Sequence, residues 1–204
     1  VSISDVTVDS LGNVYAGTPR GLFVLYGDAP LDPFFLVSLK THAGNFVSAA
    51  NCGGSYLDAN SQSAGQCETF GLYDLNGGTL NDGDAIHLRA AYGDFVAAEG
   101  GGGGAGPGGP VASEDSIAAG GGEATVESPL NANRVVPAEW ETFIVHRLAG
   151  IGAITSGDSI TLQSWNGSYV AAEKGGGNGC QCDSRLNANR SQAREWETFI
   201  ITMR

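Results

Sequence analysis

The chain has 204 residues, 10 of them Lys or Arg and 22 Asp or Glu, for a formal net charge of −12. That balance argues against nucleic acid and against an anionic membrane surface as partners, because affinity for either comes from Lys and Arg neutralising negative charge. No apolar run approaches the roughly 18 residues that a membrane helix needs, while 42% hydrophobic residues against 16% charged are enough for a core in one or two domains.

The chain opens at Val1 with neither an initiator methionine nor a basic-then-apolar leader, so it is expected to be a processed or excised protein, with any signal peptide out of view. Residues 1–33 contain VTVDSLGNVYAGTPRGLFVLYGD, which reads as two strands around Gly12-Asn13 and Pro19-Arg20-Gly21. The pattern D-x-x-G-N-x-Y-A-G-T followed by G-L-F resembles a blade fragment of a bacterial β-propeller. A lone fragment cannot make a propeller, so this N-terminal β arm is either the remnant of an upstream domain or an arm packed against the rest of the chain. The second reading is preferred for a chain of this length.

From residue 34 onward the sequence repeats itself three times, in units 34–80, 84–154 and 158–204. Their second strands read FVSAA from Phe46, FVAAE from Phe95 and YVAAE from Tyr169. Their later parts align without a gap as LDANSQSAGQCETF from Leu57, LNANRVVPAEWETF from Leu130 and LNANRSQAREWETF from Leu186. Each unit opens on an apolar alternation and then meets a glycine turn at Gly44, Gly93 or Gly167, the signature of a hairpin. Unit one thus offers four short strands, VSLKT, FVSAA, LDANS and ETFGLYDL, and no stretch has helical periodicity.

Three four-stranded units that cannot bury their apolar faces alone must share one core. The economical closed solution is all-β: a β-trefoil of twelve short strands with pseudo-threefold symmetry over residues 34–204, which also removes sheet edges. The expected core is Leu39, Val47, Leu57, Phe70, Leu88, Val96, Leu130, Phe143, Leu162, Val170, Leu186 and Phe199. The units differ mainly between the second strand and the LxAN strand, where 6 residues stand in unit one, 12 in unit three and 30 in unit two. This Gly-rich insertion, residues 100–129, reads as a mobile flap that costs the fold little. Its carboxylates Glu114, Asp115, Glu123 and Glu127 match no calcium-loop spacing, and no metal or cofactor is expected.

Polar and aromatic residues that recur where the core does not need them are the candidates for function. Before the core Phe of the fourth strand stand Glu139-Trp140-Glu141-Thr142 and Glu195-Trp196-Glu197-Thr198; the second strand ends in Glu99 or Glu173; the LxAN strand adds Asn131, Asn133 and Arg134, and correspondingly Asn187, Asn189 and Arg190. Strand alternation places Trp140 on the face opposite Phe143. An outward indole ringed by carboxylates and amides suits a sugar, whose C–H face stacks on the ring while Glu and Asn bond its hydroxyls. Trp140, Glu139, Glu141, Glu99 and Asn133 therefore form one candidate ligand site, and Trp196, Glu195, Glu197, Glu173 and Asn189 a second. Glu141 and Glu197 also have a counterpart in Glu68 of unit one, which favours a structural role for all three, accepting from backbone N–H groups. Trp165, at a hairpin tip where the other units have His42 and Ala91, reads as an exposed contact in one unit only.

Unit one has lost this set: Gln66, Cys67, Ala50 and Ser61 stand for Glu139, Trp140, Glu99 and Arg134. Four cysteines with no zinc-like spacing read as two disulfides in an oxidising compartment, against the alternative of free buried thiols. A Cys52–Cys67 bridge would fill the place where the other units keep a pocket. Cys180 and Cys182 remain for each other, across a strained single-residue spacing, or for a partner chain.

The pattern L-x-x-x-x-G-x-[FY]-[VL]-x-A-E-G-G-G-G, then [VL]-N-A-N-R, then W-E-T-F, resembles the fascin-like β-trefoil family and, more narrowly, the bacterial glucan-binding trefoils of carbohydrate-binding module family 92. The resemblance covers residues 34–204 and is most specific in units two and three. It implies binding of β-1,3- and β-1,6-linked glucans through a Trp and a Glu in each unit, which supports Trp140 and Trp196 and nothing at Cys67. The expected function is non-catalytic carbohydrate binding, as a lectin or a carbohydrate-binding module, by a secreted monomer that can be attached to a larger enzyme. The alternative is a protein-binding trefoil, either a fascin-like actin binder or a protease inhibitor, although a single acidic trefoil lacks the usual basic surface for actin. Catalysis is not expected: the carboxylates are duplicated without an asymmetric cleft, and His42, His87 and His146 fall at unrelated places.

Overall fold

The computed structural model describes residues 34–103, 128–177 and 184–204, and three short strands before them. Those three, β1 (Asp5–Val8), β2 (Val14–Thr18) and β3 (Gly21–Leu25), pair antiparallel in that order. The arm therefore has three strands rather than the two read from the sequence.

Each unit contributes four strands. Unit one has β4 (Phe34–Thr41), β5 (Phe46–Ala49), β6 (Ser55–Ser61) and β7 (Phe70–Asp74). Unit two has β8 (Ala85–Arg89), β9 (Phe95–Ala98), β10 (Leu130–Arg134) and β11 (Thr142–Arg147). Unit three has β12 (Ser159–Ser164), β13 (Tyr169–Ala172), β14 (Leu186–Arg190) and β15 (Phe199–Met203). All twelve belong to one antiparallel sheet.

The first and last strands of the units pair in a cycle: β4 with β7, β7 with β8, β8 with β11, β11 with β12, β12 with β15, and β15 back to β4. The middle strands form the hairpins β5–β6, β9–β10 and β13–β14. These meet one another through Tyr56 opposite Asn131, Pro129 opposite Asn187, and Arg185 opposite Asp58. In the repeat alignment the same two positions meet each time, one unit to the next.

The reason for this arrangement lies in the alternation. All twelve residues expected in the core are buried in one hydrophobic cluster. Phe70, Phe143 and Phe199 hold equivalent places at the heads of β7, β11 and β15 with no exposed surface, and burying each contributes about 1.5–3 kcal/mol. The hairpin glycines Gly44, Gly93 and Gly167 have φ of +90°, +101° and +84°, a region closed to most other residues. Among the described residues no helix is long and apolar enough to cross a membrane.

Candidate functional site

The Trp-bearing segments sit not in strands but in short turns just ahead of β11 and β15. Glu139–Glu141 forms one turn of 3-10 helix and β11 begins only at Thr142, so Trp140 is placed by the turn and not by strand alternation. The motif closes on itself. Glu141 Oε2 accepts the Ala138 N–H at 2.6 Å and Thr142 Oγ1 donates to the Ala138 carbonyl at 2.9 Å. Unit three repeats this with Glu197 on the Arg194 N–H and Thr198 on its carbonyl, both at 2.8 Å. Unit one does the same with Glu68 and Thr69 on Gly65. The second glutamate of each motif thus turns inward, where Glu141 and Glu197 are buried, and the residue before it is left at the apex. There Trp140 is 42% exposed, Trp196 is half-buried, and Glu139 and Glu195 face solvent.

Beneath each apex lies a network of charges. Glu99 accepts from Asn131 Nδ2 at 2.9 Å and from Arg134 Nη2 at 2.7 Å, and Arg134 Nε lies 3.6 Å from Glu141. In unit three Asn187 bonds Glu173 at 3.0 Å, Arg190 bonds both Glu173 oxygens at 3.1 and 2.9 Å, and its Nε is 3.9 Å from Glu197. The amide that holds each strand-end glutamate is therefore Asn131 or Asn187, while Asn133 and Asn189 accept from Arg134 and Arg190. Charge-assisted bonds of this kind fix both partners firmly. The two arginines recur among the polar candidates in the sequence but stand outside the two expected ligand sites. Their signal in the sequence is the joint loss of Glu and Arg in unit one, as Ala50 and Ser61.

A hairpin from another unit completes each site. The 3-10 turns after β5, β9 and β13, at Ala50–Cys52, Glu99–Gly101 and Glu173–Gly175, share two consecutive residues of positive φ. On their carbonyls dock the tips of the neighbouring hairpins: Ala43 N–H to Gly175 at 3.0 Å, Tyr92 N–H to Cys52 at 3.0 Å, and Asn166 N–H to Gly101 at 2.9 Å. The approach is so close that a Cβ at Gly102 would overlap Ser164 Oγ, and one at Gly176 would come within 2.5 Å of Thr41 Oγ1. His42 is thereby carried to the unit-three site, where its Nε2 lies 3.7 Å from Glu195. There an open pocket of about 950 Å³ is lined by His42, Leu148, Arg190, Glu195, Trp196 and Thr198 among others. The combination of an indole, an aliphatic side chain and a few fixed polar groups is the usual make-up of a small-molecule site.

Unit one lacks the set. Cys52 and Cys67 form the expected disulfide, tying the turn after β5 to the turn before β7. A smaller hollow of about 450 Å³ remains beside it, lined by Gln66, Thr69, Ala91, Arg89 and Arg204 among others. Cys180 and Cys182, and the insertion from residue 104 to 127 with its four carboxylates, lie outside the described residues. Among the described residues no three His, Cys, Asp or Glu side chains are grouped to hold a metal ion.

No family model and no curated protein sequence gives a significant match to this chain. Solved structures do resemble it in fold. An SDF2-like protein from Arabidopsis thaliana aligns with a TM-score of 0.58 at 7% identity, over 82% of this chain and 92% of that one. A Caenorhabditis elegans protein of unknown function aligns at 0.56 and 11% identity over the same shares. A chain of the Saccharomyces cerevisiae protein O-mannosyltransferase Pmt1-Pmt2 complex aligns at 0.56 and 7% identity, over 82% of this chain and 24% of that one. At such identities the likeness is one of fold: an all-β, antiparallel architecture.

Proposed function

We propose that the chain is a non-catalytic carbohydrate-binding β-trefoil, secreted, that holds neutral β-1,3- or β-1,6-linked glucans at units two and three. One observation carries the reading: in both units a self-closing turn lifts an indole and an exposed glutamate clear of a partly buried charge network, and in unit one a disulfide stands in their place. The cyclic strand pairing and the repeated bridge rule favour the trefoil, and the W-E-T-F and N-A-N-R motifs resemble glucan-binding trefoils of carbohydrate-binding module family 92.

Each part of the site has a task in this reading. Trp140 and Trp196 stack on the C–H face of a pyranose. Glu139 and Glu195 accept from its hydroxyls at the rim, and Glu99 and Glu173, held by Arg and Asn, present their remaining acceptor positions in fixed directions. Glu141 and Glu197 hold the turn. A neutral ligand needs no countercharge, in keeping with a net charge of −12. Two such sites on one body raise the effective concentration for a polymer.

Retention in native gels containing a soluble β-1,3/β-1,6-glucan tests the proposal. Trp140→Ala and Trp196→Ala should each weaken retention, by about tenfold in affinity per site, or about 1.4 kcal/mol, and the double substitution should abolish it. Unchanged retention of the double variant rules the reading out.

A further inference from the structure

Units two and three carry the same turn, but the hairpin that completes each site brings a different side chain. His42, Ala91 and Trp165 share one position, two residues before the tip glycine. Unit three shows what that position does. A Cβ on Gly175 would lie 3.3 Å from Trp196 Cδ1 and 3.9 Å from His42 Cδ2, and His42 reaches the rim carboxylate of Glu195. The tip residue therefore stands across the turn glycine from the tryptophan.

In unit two Gly101 holds the same place, 3.3 Å at its Cβ position from Trp140 Cδ1 and 3.0 Å from Asn166 Nδ2. Asn166 pins the hairpin tip down with side-chain bonds to the Gly100 and Gly102 carbonyls at 3.1 and 3.0 Å. The residue before it, Trp165, is left 56% exposed, although the core gains nothing from an indole there. The backbone that carries this exposed indole is thus fixed by the doubly bonded asparagine beside it.

We propose that Trp165 is a specificity-determining residue of the unit-two site. Because the hairpins dock alike, through the Asn166 N–H on Gly101 and the Ala43 N–H on Gly175, Trp165 takes the place that His42 has in unit three. Its indole would add to that of Trp140 a second stacking face for a second sugar of a β-linked gluco-oligosaccharide, whereas unit three offers one indole and an imidazole. The inference rests on the glucan-binding reading of Trp140. It makes unit two the site that gains from chain length and unit three the site that does not, since a second stacking face is useful only to a ligand with a second ring.

Calorimetric titration of the full chain with laminarihexaose, alongside an NMR titration with glucose, tests this in a Trp196→Ala background that leaves unit two alone. Adding Trp165→Ala or Trp165→His should weaken laminarihexaose about tenfold and leave glucose unchanged. In a Trp140→Ala background, His42→Trp should strengthen laminarihexaose at unit three by a similar factor, which keeps the test independent of any folding defect at position 165. Equal affinity with and without Trp165, or an equal loss for glucose and laminarihexaose, overturns the inference while glucan binding stands. Absence of glucan binding by the unsubstituted chain overturns both.

Discussion

Arg190 and Arg134 hold the same place in the alignment and do unequal work. Arg190 is 1% exposed, between Glu173 and the buried Glu197, whereas the Arg134 side chain is 32% exposed. Removing a buried cation strands its partners in a low-dielectric surrounding, typically at a cost of about 3–5 kcal/mol, while an exposed pair is worth about 1 kcal/mol or less. Arg190→Met should therefore lower stability in urea unfolding by about 3 kcal/mol and Arg134→Met by about 1 kcal/mol; equal losses would refute the distinction. At this scale the sequence was only partly legible. Glu68, Glu141 and Glu197 persist in all three units, and that persistence led correctly to backbone N–H groups as their partners. The Glu–Arg pairs are separated by 35 and 17 positions along the chain. Strand periodicity says which face a side chain takes but not which polar groups meet across such a gap. The same limit hid His42, which reaches Glu195 from another unit.

The strands could be read because apolar alternation and turn glycines leave a mark every few residues, and the twelve expected core positions are all buried. The Trp-bearing turns left no such mark. The 3-10 residues of unit two and the turn of unit three look like the start of the strand they precede, and what distinguishes them is a side-chain clamp from Glu and Thr that has no period. In unit one the clamp survives, but the link between neighbouring turns is covalent. Cys52–Cys67 closes a loop of 15 residues, a span whose closure in the unfolded chain accounts for about 3 kcal/mol. The Ala49 N–H also bonds the Cys67 carbonyl at 2.9 Å, as Ala172 bonds that of Trp196, so the turn keeps its backbone anchor when the bridge is gone. Cys52→Ala/Cys67→Ala should lose about 3 kcal/mol in thermal or urea unfolding while glucan retention at units two and three stays unchanged. Loss of retention in a folded variant would tie unit one to binding.

For the molecule as a whole, the cycle closes where β15 lies along β4, with Phe199 opposite Thr41 and Met203 opposite Val37. His87 sits within the cycle on β8, against Tyr73 of β7 and Thr142 of β11, and its Nε2 is 3.1 Å from Thr142 Oγ1. Burial pushes its pKa down to about 4, from 6.5 in a solvated chain. The unfolded state thus takes up a proton that the folded state refuses, and stability falls as pH drops from about 6.5 to about 4, with no further loss from this group below that. Urea midpoints at pH 7, 5 and 4 should decline more steeply for the parent than for His87→Gln; parallel declines would show that His87 does not contribute.

The docking of each hairpin tip on another unit's turn separates where a substitution is encoded from where it is felt. Residue 42 belongs to the first repeat but lines the pocket of the third, and residue 165 belongs to the third but stands on the hairpin that docks on the turn of the second. A freshly duplicated repeat would hold only part of any pocket, and the tips could diversify while every Trp-bearing turn stayed intact. Under the proposed glucan binding, ligand preference could be altered repeat by repeat through the tips, with Trp140 and Trp196 left in place.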